Sequence, residues 1–525
     1  MNLVTKLSYQ LKVNAITNKL SRFSRASFLE NTYNHFQKIS DGETGVVSNF
    51  PWCSFLAMKW KILIKERKHA IAMTRADYVD VINLIYALQT EASELSKKKD
   101  AFLSVRRMLI NQSLYQLDDS FLQSSLVRQY VWYCESGDKY YSDKFYEISG
   151  FELKTYYSIS HYLFALAAIN KRESFFIHVN ELMLHLVPFY GLDNVKKYIN
   201  FISLRLVDLY GFFDNFRYDD TSEMEYYEDT PFLKKPFLLV DNGLVVFCSA
   251  IMKYGLLTMV PDLMKLNFKG EYKEHFGRQL ESYVGCFLEK KDYIYYSESQ
   301  LKDKYKFASK SKVVDFFIEE SDGVVFVECK AIEPANYVKV NIEPDSLKNR
   351  LNDSFIKGIF QGQECAACIQ DKDAEIMEKK NCMLIIVHRE HYISNAKTLR
   401  DNIYIDLDCD VIEAAGKMLI RAERIYYLTI DEFEFLLTAC KEKHVTINDF
   451  MDYCVENDSK ASTMKFKINM HFKEFFKVES VSRYELLSEH GQKVLDEVID
   501  NLSKEKGFWN GRVEEYTRGM QYLLN

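Results

Sequence analysis

Two short apolar runs of the 525-residue chain flank an Asp-Gly turn, and three of their positions are Asp315, Glu328 and Lys330, in "VVDFFIEESDGVVFVECKA", residues 313–331. Two carboxylates on rigid strands make a hard oxygen site of the kind that holds Mg²⁺ or Mn²⁺. A lysine beside them can orient or deprotonate a water, or neutralise charge growing on a phosphate. Together these groups would let water attack a phosphodiester in line. The plain alternative is a solvated hairpin face that reads Asp, Glu, Lys by chance, and the string alone does not exclude it.

The elements that must position these groups are two strands and a tight turn. A two-residue turn at Asp322-Gly323 sets Ser321 opposite Val324, Phe317 opposite Glu328 and Asp315 opposite Lys330. Side chains alternate along a strand, so Asp315, Glu328 and Lys330 are expected on one face. Val314, Phe316, Val325, Val327 and Cys329 fall on the other. Glu328 and Lys330, two residues apart, have Cα atoms ~6.6 Å apart.

Helices flank this hairpin in sequence. In "HFGRQLESYVGCFL", residues 275–288, Phe276, Leu280, Val284 and Phe287 form an apolar stripe with Glu281 beside it. "IKGIFQGQECAACI", residues 356–369, reads as a second helix and carries Gln361 and Gln363. This order resembles the PD-(D/E)XK superfamily, the restriction-endonuclease-like nucleases. Members carry a helix glutamate, a strand aspartate, a strand (D/E)-x-K and a following helix, often with a glutamine. Here Val, not Pro, precedes the aspartate. The likeness covers residues 265–432.

The resemblance implies roles. Asp315 and Glu328 would ligate the metal, with the Cys329 carbonyl as a further ligand. Lys330 would position the attacking water, and Glu281 would hold a metal-bound water or a second metal. Gln361 is the better match to the trailing glutamine and Gln363 the weaker; a surface or capping role for Gln361 stays open. Tyr283 fits the aromatic that usually follows the helix glutamate. The activity implied is metal-dependent phosphodiester hydrolysis, with DNA the expected substrate and Mg²⁺ or Mn²⁺ the cofactor, in a setting of microbial restriction or anti-phage defence. A relative that keeps the fold and loses the chemistry, as a nucleic-acid-binding or protein-interaction scaffold, is the alternative.

Upstream of Asp315, "LKDKYKFASKSK", residues 301–312, holds five lysines and one aspartate. Lys304, Lys306, Lys310 and Lys312 are candidates for phosphate contacts, with Tyr305 and Phe307 interleaved for stacking. The same loop could equally be ordinary solvated surface. The basic run at 59–70 reads as the polar face of a helix. Cys365-x-x-Cys368 has no second pair at zinc spacing. Asp406, Asp408 and Asp410 lack the glycine and distal glutamate of a calcium loop and read as a solvated strand end. His388, at the end of "MLIIV", reads as structural. No P-loop is present.

The fold class expected is α+β and multidomain. Helical periodicity from about 30 to 230, as in "TRADYVDVINLIYAL" with its Thr74–Asp77 start, predicts a large N-terminal all-α domain at 1–230. The helix read in "DNVKKYINFISLRLVDLY" would bury Val195, Tyr198, Ile202, Leu206 and Leu209. A hairpin in "FLLVDNGLVVF" opens a central domain at 231–435, restriction-endonuclease-like by the resemblance, with a mixed sheet. Its further strands are "DYIYYSES", "CMLIIVH" at 382–388 and "RIYYLT" at 424–429, with a helix at 352–370. Residues 436–525 read as a helical tail. The N-terminal domain would sense, recruit a protein partner or self-associate.

Composition narrows the classes. The chain is 47% hydrophobic and 14% aromatic, enough for a sizeable core without staples. A net charge of −7 excludes a globally basic coat protein, so any polyanion site is local. Eleven unrhythmic cysteines read as reduced thiols. No apolar run reaches the ~18 residues of a membrane span. Residues 1–29, with five basic residues and no acid, read as an amphipathic first helix more readily than as a targeting segment. A cytoplasmic location is expected.

Overall fold

The computed structural model describes residues 3–37, 50–93, 101–218, 220–308, 311–460, 462–477, 481–482, 484–504 and 507–525. The chain divides into two units, one of residues 1–98, 111–268 and 486–525, the other of 99–110 and 269–485. These limits fall at 268 and 485, not at the expected 230 and 435. Among the described residues no helix is long and apolar enough to cross a membrane.

The first unit is helical but not all-α. Strands β1 (Phe175–His178), β2 (Ser203–Arg205), β3 (Phe237–Val240) and β4 (Gly243–Val246) form a sheet in the order β1-β4-β3-β2, with β2 parallel to β3. The hairpin expected in the central domain thus pairs inside this unit. The helix read through residue 209 stops at Ile202, where the chain turns extended to pair with Phe237, and Leu206 is 48% exposed. Helix Arg75–Ala87 has the Thr74–Asp77 capping box, and Tyr78, Val81, Ile82, Ile85 and Leu88 are buried. The run expected as a polar helix face is instead partly interior. Lys61 is fully buried and donates to the carbonyls of Leu20 and Phe23, and Lys59 pairs with Glu225 at 2.8 Å. Buried amines persist only where such partners offset desolvation.

The second unit begins where helix Ser249–Lys290 loses helical geometry, at Lys269 (φ 32°, ψ −100°). Its sheet runs β5 (Tyr295–Ser297), β6 (Phe316–Glu319), β7 (Gly323–Lys330), β8 (Lys380–Val387) and β9 (Ile425–Thr429), in that order. The first three are antiparallel and the last three parallel. Central strand β7 is covered on both faces, which is why its sequence is continuously apolar from Val324 to Val327. Each of those side chains is 0–1% exposed, a burial worth ~1.5–3 kcal/mol apiece.

The hairpin register differs from expectation by two residues. Glu319 pairs with Val324 and the Glu320 amide donates to the Gly323 carbonyl, so Ser321-Asp322 is the loop and Gly323 is already strand. The glycine serves close approach, not the turn. A Cβ there would stand 2.5 Å from the Lys380 carbonyl oxygen and 2.6 Å from Asn448 Nδ2. The slide moves Asp315 from opposite Lys330 to opposite Glu328. An even shift leaves every side chain on its expected face.

Candidate active site at the end of the central strand

Two helices bracket the sheet. Helix Lys357–Gln370 lies on the Glu328 face: a Cβ at Gly362 would meet Met383 Sδ at 2.3 Å, and Met383 pairs in register with Phe326. The helical segment 270–290 lies on the other face, with Gly285 against the ring of Phe316. Gln361 and Glu281 therefore approach the strand ends from opposite sides.

Asp315 sits in a bend just before β6, and its Oδ2 accepts from the Cys329 amide at 2.6 Å. Glu328 is 2% exposed, and its Oε1 accepts from Lys330 Nζ at 2.5 Å. The backbone of Asp315 lies close to this carboxylate, yet Oε2 is buried without a hydrogen-bond partner. Lys330 also donates to Gln361 Oε1 at 2.6 Å. Asp315, Glu328, Lys330 and Gln361 are thus joined at one end of the sheet, and Cys329 enters through its amide.

The electrostatics record crowding of like charge. Burial raises the Asp315 carboxyl well above the usual range, and the charges of Glu328 and Glu281 push it further against the opposing Cys329 amide and Lys330. Burial likewise raises Glu328, opposed by Lys330. Glu281, half-buried, is raised by burial and then by Glu298. Glu281 therefore lies within electrostatic reach of Asp315, as the helix stripe required. These hard oxygen donors, one of them bare and buried, fit a divalent cation in chemistry. In the conformation described, Glu328 is turned to Lys330, and among the described residues no group of three or more His, Cys, Asp or Glu is arranged to hold a metal.

Glu298 was not singled out by sequence. It is the first residue of helix Glu298–Tyr305, and its amide donates to the Asp315 carbonyl at 3.0 Å. The signal was the Ser297–Gln300 capping box, which ends β5 at this point.

Other candidates lie elsewhere in purpose. Gln363 is fully buried and bonds Leu419 and Ile420, a structural role. Tyr283 donates to Glu434 at 2.6 Å. His388 pairs with Glu333 at 2.7 Å and meets the ring of Phe276 at 4.8 Å. The lysine-rich segment is helix, not loop, as far as Tyr305, and its lysines are largely spoken for: Lys304 pairs with Glu319 at 2.6 Å and Lys312 with Glu364 at 2.7 Å. Lys306 is exposed, and Lys310 lies outside the described residues. Tyr305 is buried and stacks on Phe307 instead of facing a base. Cys365 is buried in its helix, and all eleven cysteines are free. The aspartates at 406–410 begin helix Leu407–Ala415 and do not end a strand; acids favour a helix's first turn.

No protein-family model, curated protein or solved structure matches the chain.

Proposed function

We propose that residues 269–485 form a metal-dependent nuclease of PD-(D/E)XK type that hydrolyses phosphodiester bonds, with DNA as substrate. One observation carries the reading: Lys330 bridges Glu328 and Gln361 at the end of β7, and Asp315 is fixed beside them by the Cys329 amide. The reading is supported by the order on which the resemblance rests: a helix bearing Glu281, Asp315 leading into a strand, a strand ending in Glu328-Cys329-Lys330, and a helix bearing Gln361.

Asp315 and Glu328 would hold a divalent cation, with Glu281 adding negative charge at the same end. When bound, such a cation supplies Lewis acidity toward a phosphoryl oxygen and lowers the pKa of water. Lys330, released from Glu328, would orient the attacking water and stabilise negative charge on phosphate. Gln361 holds the lysine on course.

The test is cleavage of plasmid, linear and single-stranded substrates with Mg²⁺ or Mn²⁺, beside Glu328→Ala and Lys330→Ala. Cutting by the wild type that both variants lose supports the reading, and equal cutting by all three ends it. A silent scaffold that binds nucleic acid or a protein is the second reading. It draws on the Glu328–Lys330 pairing, which leaves no metal-ready group of three among the described residues. Nucleic-acid binding with no cutting under any cation would favour it. The first unit is proposed to recruit a protein partner or to self-associate.

A further inference from the structure

We infer that Arg106 is a positioning residue of the candidate site: from a helix far upstream in sequence it ties together the two segments that leave β7 and β8 beside Lys330. This rests on the proposed nuclease reading and adds to it a residue from outside 269–485.

Residues 99–110 belong to the second unit, although the rest of that unit begins only at 269. They open helix Phe102–Ser113. Leu103 is buried in the same apolar core as Val314, Val338 and Val387. Phe102 stacks on Phe466, with ring centroids 5.2 Å apart and planes 7° from parallel. These contacts fix the helix, and the helix fixes Arg106.

Arg106 is fully buried, and its fork reaches two carbonyls at once. Nε donates to His391 at 2.8 Å and Nη1 to Val338 at 2.9 Å. Val338 lies in the segment that follows β7, and His391 in the one that follows β8. Those strands are parallel neighbours whose last residues, Lys330 and Val387, pair in register. In α/β sheets ligands bind beyond the carboxyl ends of parallel strands, so these two segments frame the candidate site. A second tie joins them: Glu333 pairs with His388 at 2.7 Å and with Arg389 at 3.2 Å. The Ile332 amide donates to the Lys330 carbonyl at 2.7 Å, which binds the β7 exit back onto Lys330 itself.

Packing alone does not account for an arginine here. A buried guanidinium carries a desolvation cost, and its third nitrogen, Nη2, is buried without a partner. An apolar side chain of similar volume would fill the space without that cost. What it would lack is a planar fork that holds two strand exits in one geometry.

Hydrogen exchange and cleavage kinetics on the full chain test this. Arg106→Met should speed amide exchange in 331–342 and 388–395 roughly ten-fold and leave β7, β8 and β9 unchanged. It should lower kcat per folded molecule roughly ten-fold while KM stays within about two-fold, because the tie acts through Lys330 and not on substrate. Arg106→Lys keeps the charge and a donor, and should recover part of both losses. A residue that only fills space would lower the melting temperature with kcat per folded molecule intact; that result overturns the proposal, as does unchanged exchange in the two segments. Should Arg106→Met fail to fold, Phe102→Leu loosens the same helix and keeps the arginine. It should give the same pattern at smaller size, and wild-type exchange and kcat in it overturn the proposal. Faster exchange in both segments of Arg106→Met, with no cutting by wild type, supports the tie and overturns the nuclease reading.

Discussion

Lys330 Nζ lies 2.6 Å from Gln361 Oε1, so a strand and a helix separated by 31 positions share one hydrogen bond at the candidate site. Two residues on, Gln363 is buried and tied to the 419–420 backbone. The two glutamines should therefore separate cleanly. Gln361→Leu should lower the cleavage rate at least ~10-fold, the usual effect of losing an orienting partner, with little change in melting temperature. Gln363→Ala should do the reverse, costing ~1–3 kcal/mol by stranding buried amides. Kinetics and thermal melts on both variants check this; a Gln361→Leu variant with unaltered rate would remove Gln361 from the site.

Asp315 supplies a dependence on pH. Its carboxyl is raised in the folded state, first by burial and then by Glu328. The folded protein thus holds this proton more tightly than the unfolded chain does. Ionisation costs stability, so stability falls as pH climbs from the unfolded value of ~3.9 to the raised one. Asp315→Asn should be more stable than wild type at neutral pH, and the gap should close by about pH 4. Mn²⁺ should raise the melting temperature of the wild type at neutral pH and not that of the variant. A variant less stable than wild type at neutral pH would contradict the crowding argument.

The shared face of the three residues was legible because it depends on parity. Asp315, Glu328 and Lys330 share a face whether the turn sits at 322–323 or 321–322, since the slide is even. The glycine misled because its purpose is tertiary: Lys380 and Asn448 occupy the space a side chain would take, and neither is near in sequence. The same holds for β1 and β2, short strands inside helical surroundings whose pairing partners lie tens of residues away. The lysine-rich segment could not be judged from its own letters, because Glu319 and Glu364 neutralise two of its charges from other elements. Glu298 escaped for a related reason: only the sheet order brings it beside Asp315.

Glu432 gives a second and independent titration. It closes the capping box of helix Ile430–Lys443 by accepting from Thr429. Full burial, and then the charge of Glu390, push its carboxyl up to about 7. Between the unfolded value and about 7 the folded state binds the extra proton, so stability declines as pH rises through this window and levels off above it. Glu432→Gln keeps a residue suited to the capping box and should flatten that decline, which is on the order of 1–3 kcal/mol. Urea melts at intervals from pH 5 to 8 check it. An identical slope in wild type and variant would assign the dependence to other groups.

The paired lysines lead to the last prediction. A lysine that neutralises a phosphate releases a counterion and steepens the salt dependence of binding by ~1 per contact. Lys306 is exposed and belongs to a lysine-rich loop, so Lys306→Ala should weaken binding to a DNA duplex and reduce the slope of log affinity against log salt by about one. Lys304 holds Glu319 at 2.6 Å and lies over the Tyr296 ring at 3.9 Å, so it is committed to the protein. Lys304→Ala should leave the slope unchanged and lower stability slightly. Fluorescence anisotropy across a salt series distinguishes them: equal slopes for the wild type and Lys306→Ala would place the phosphate contacts away from this loop, whereas a reduced slope for Lys304→Ala would mean that its pairing with Glu319 yields to nucleic acid.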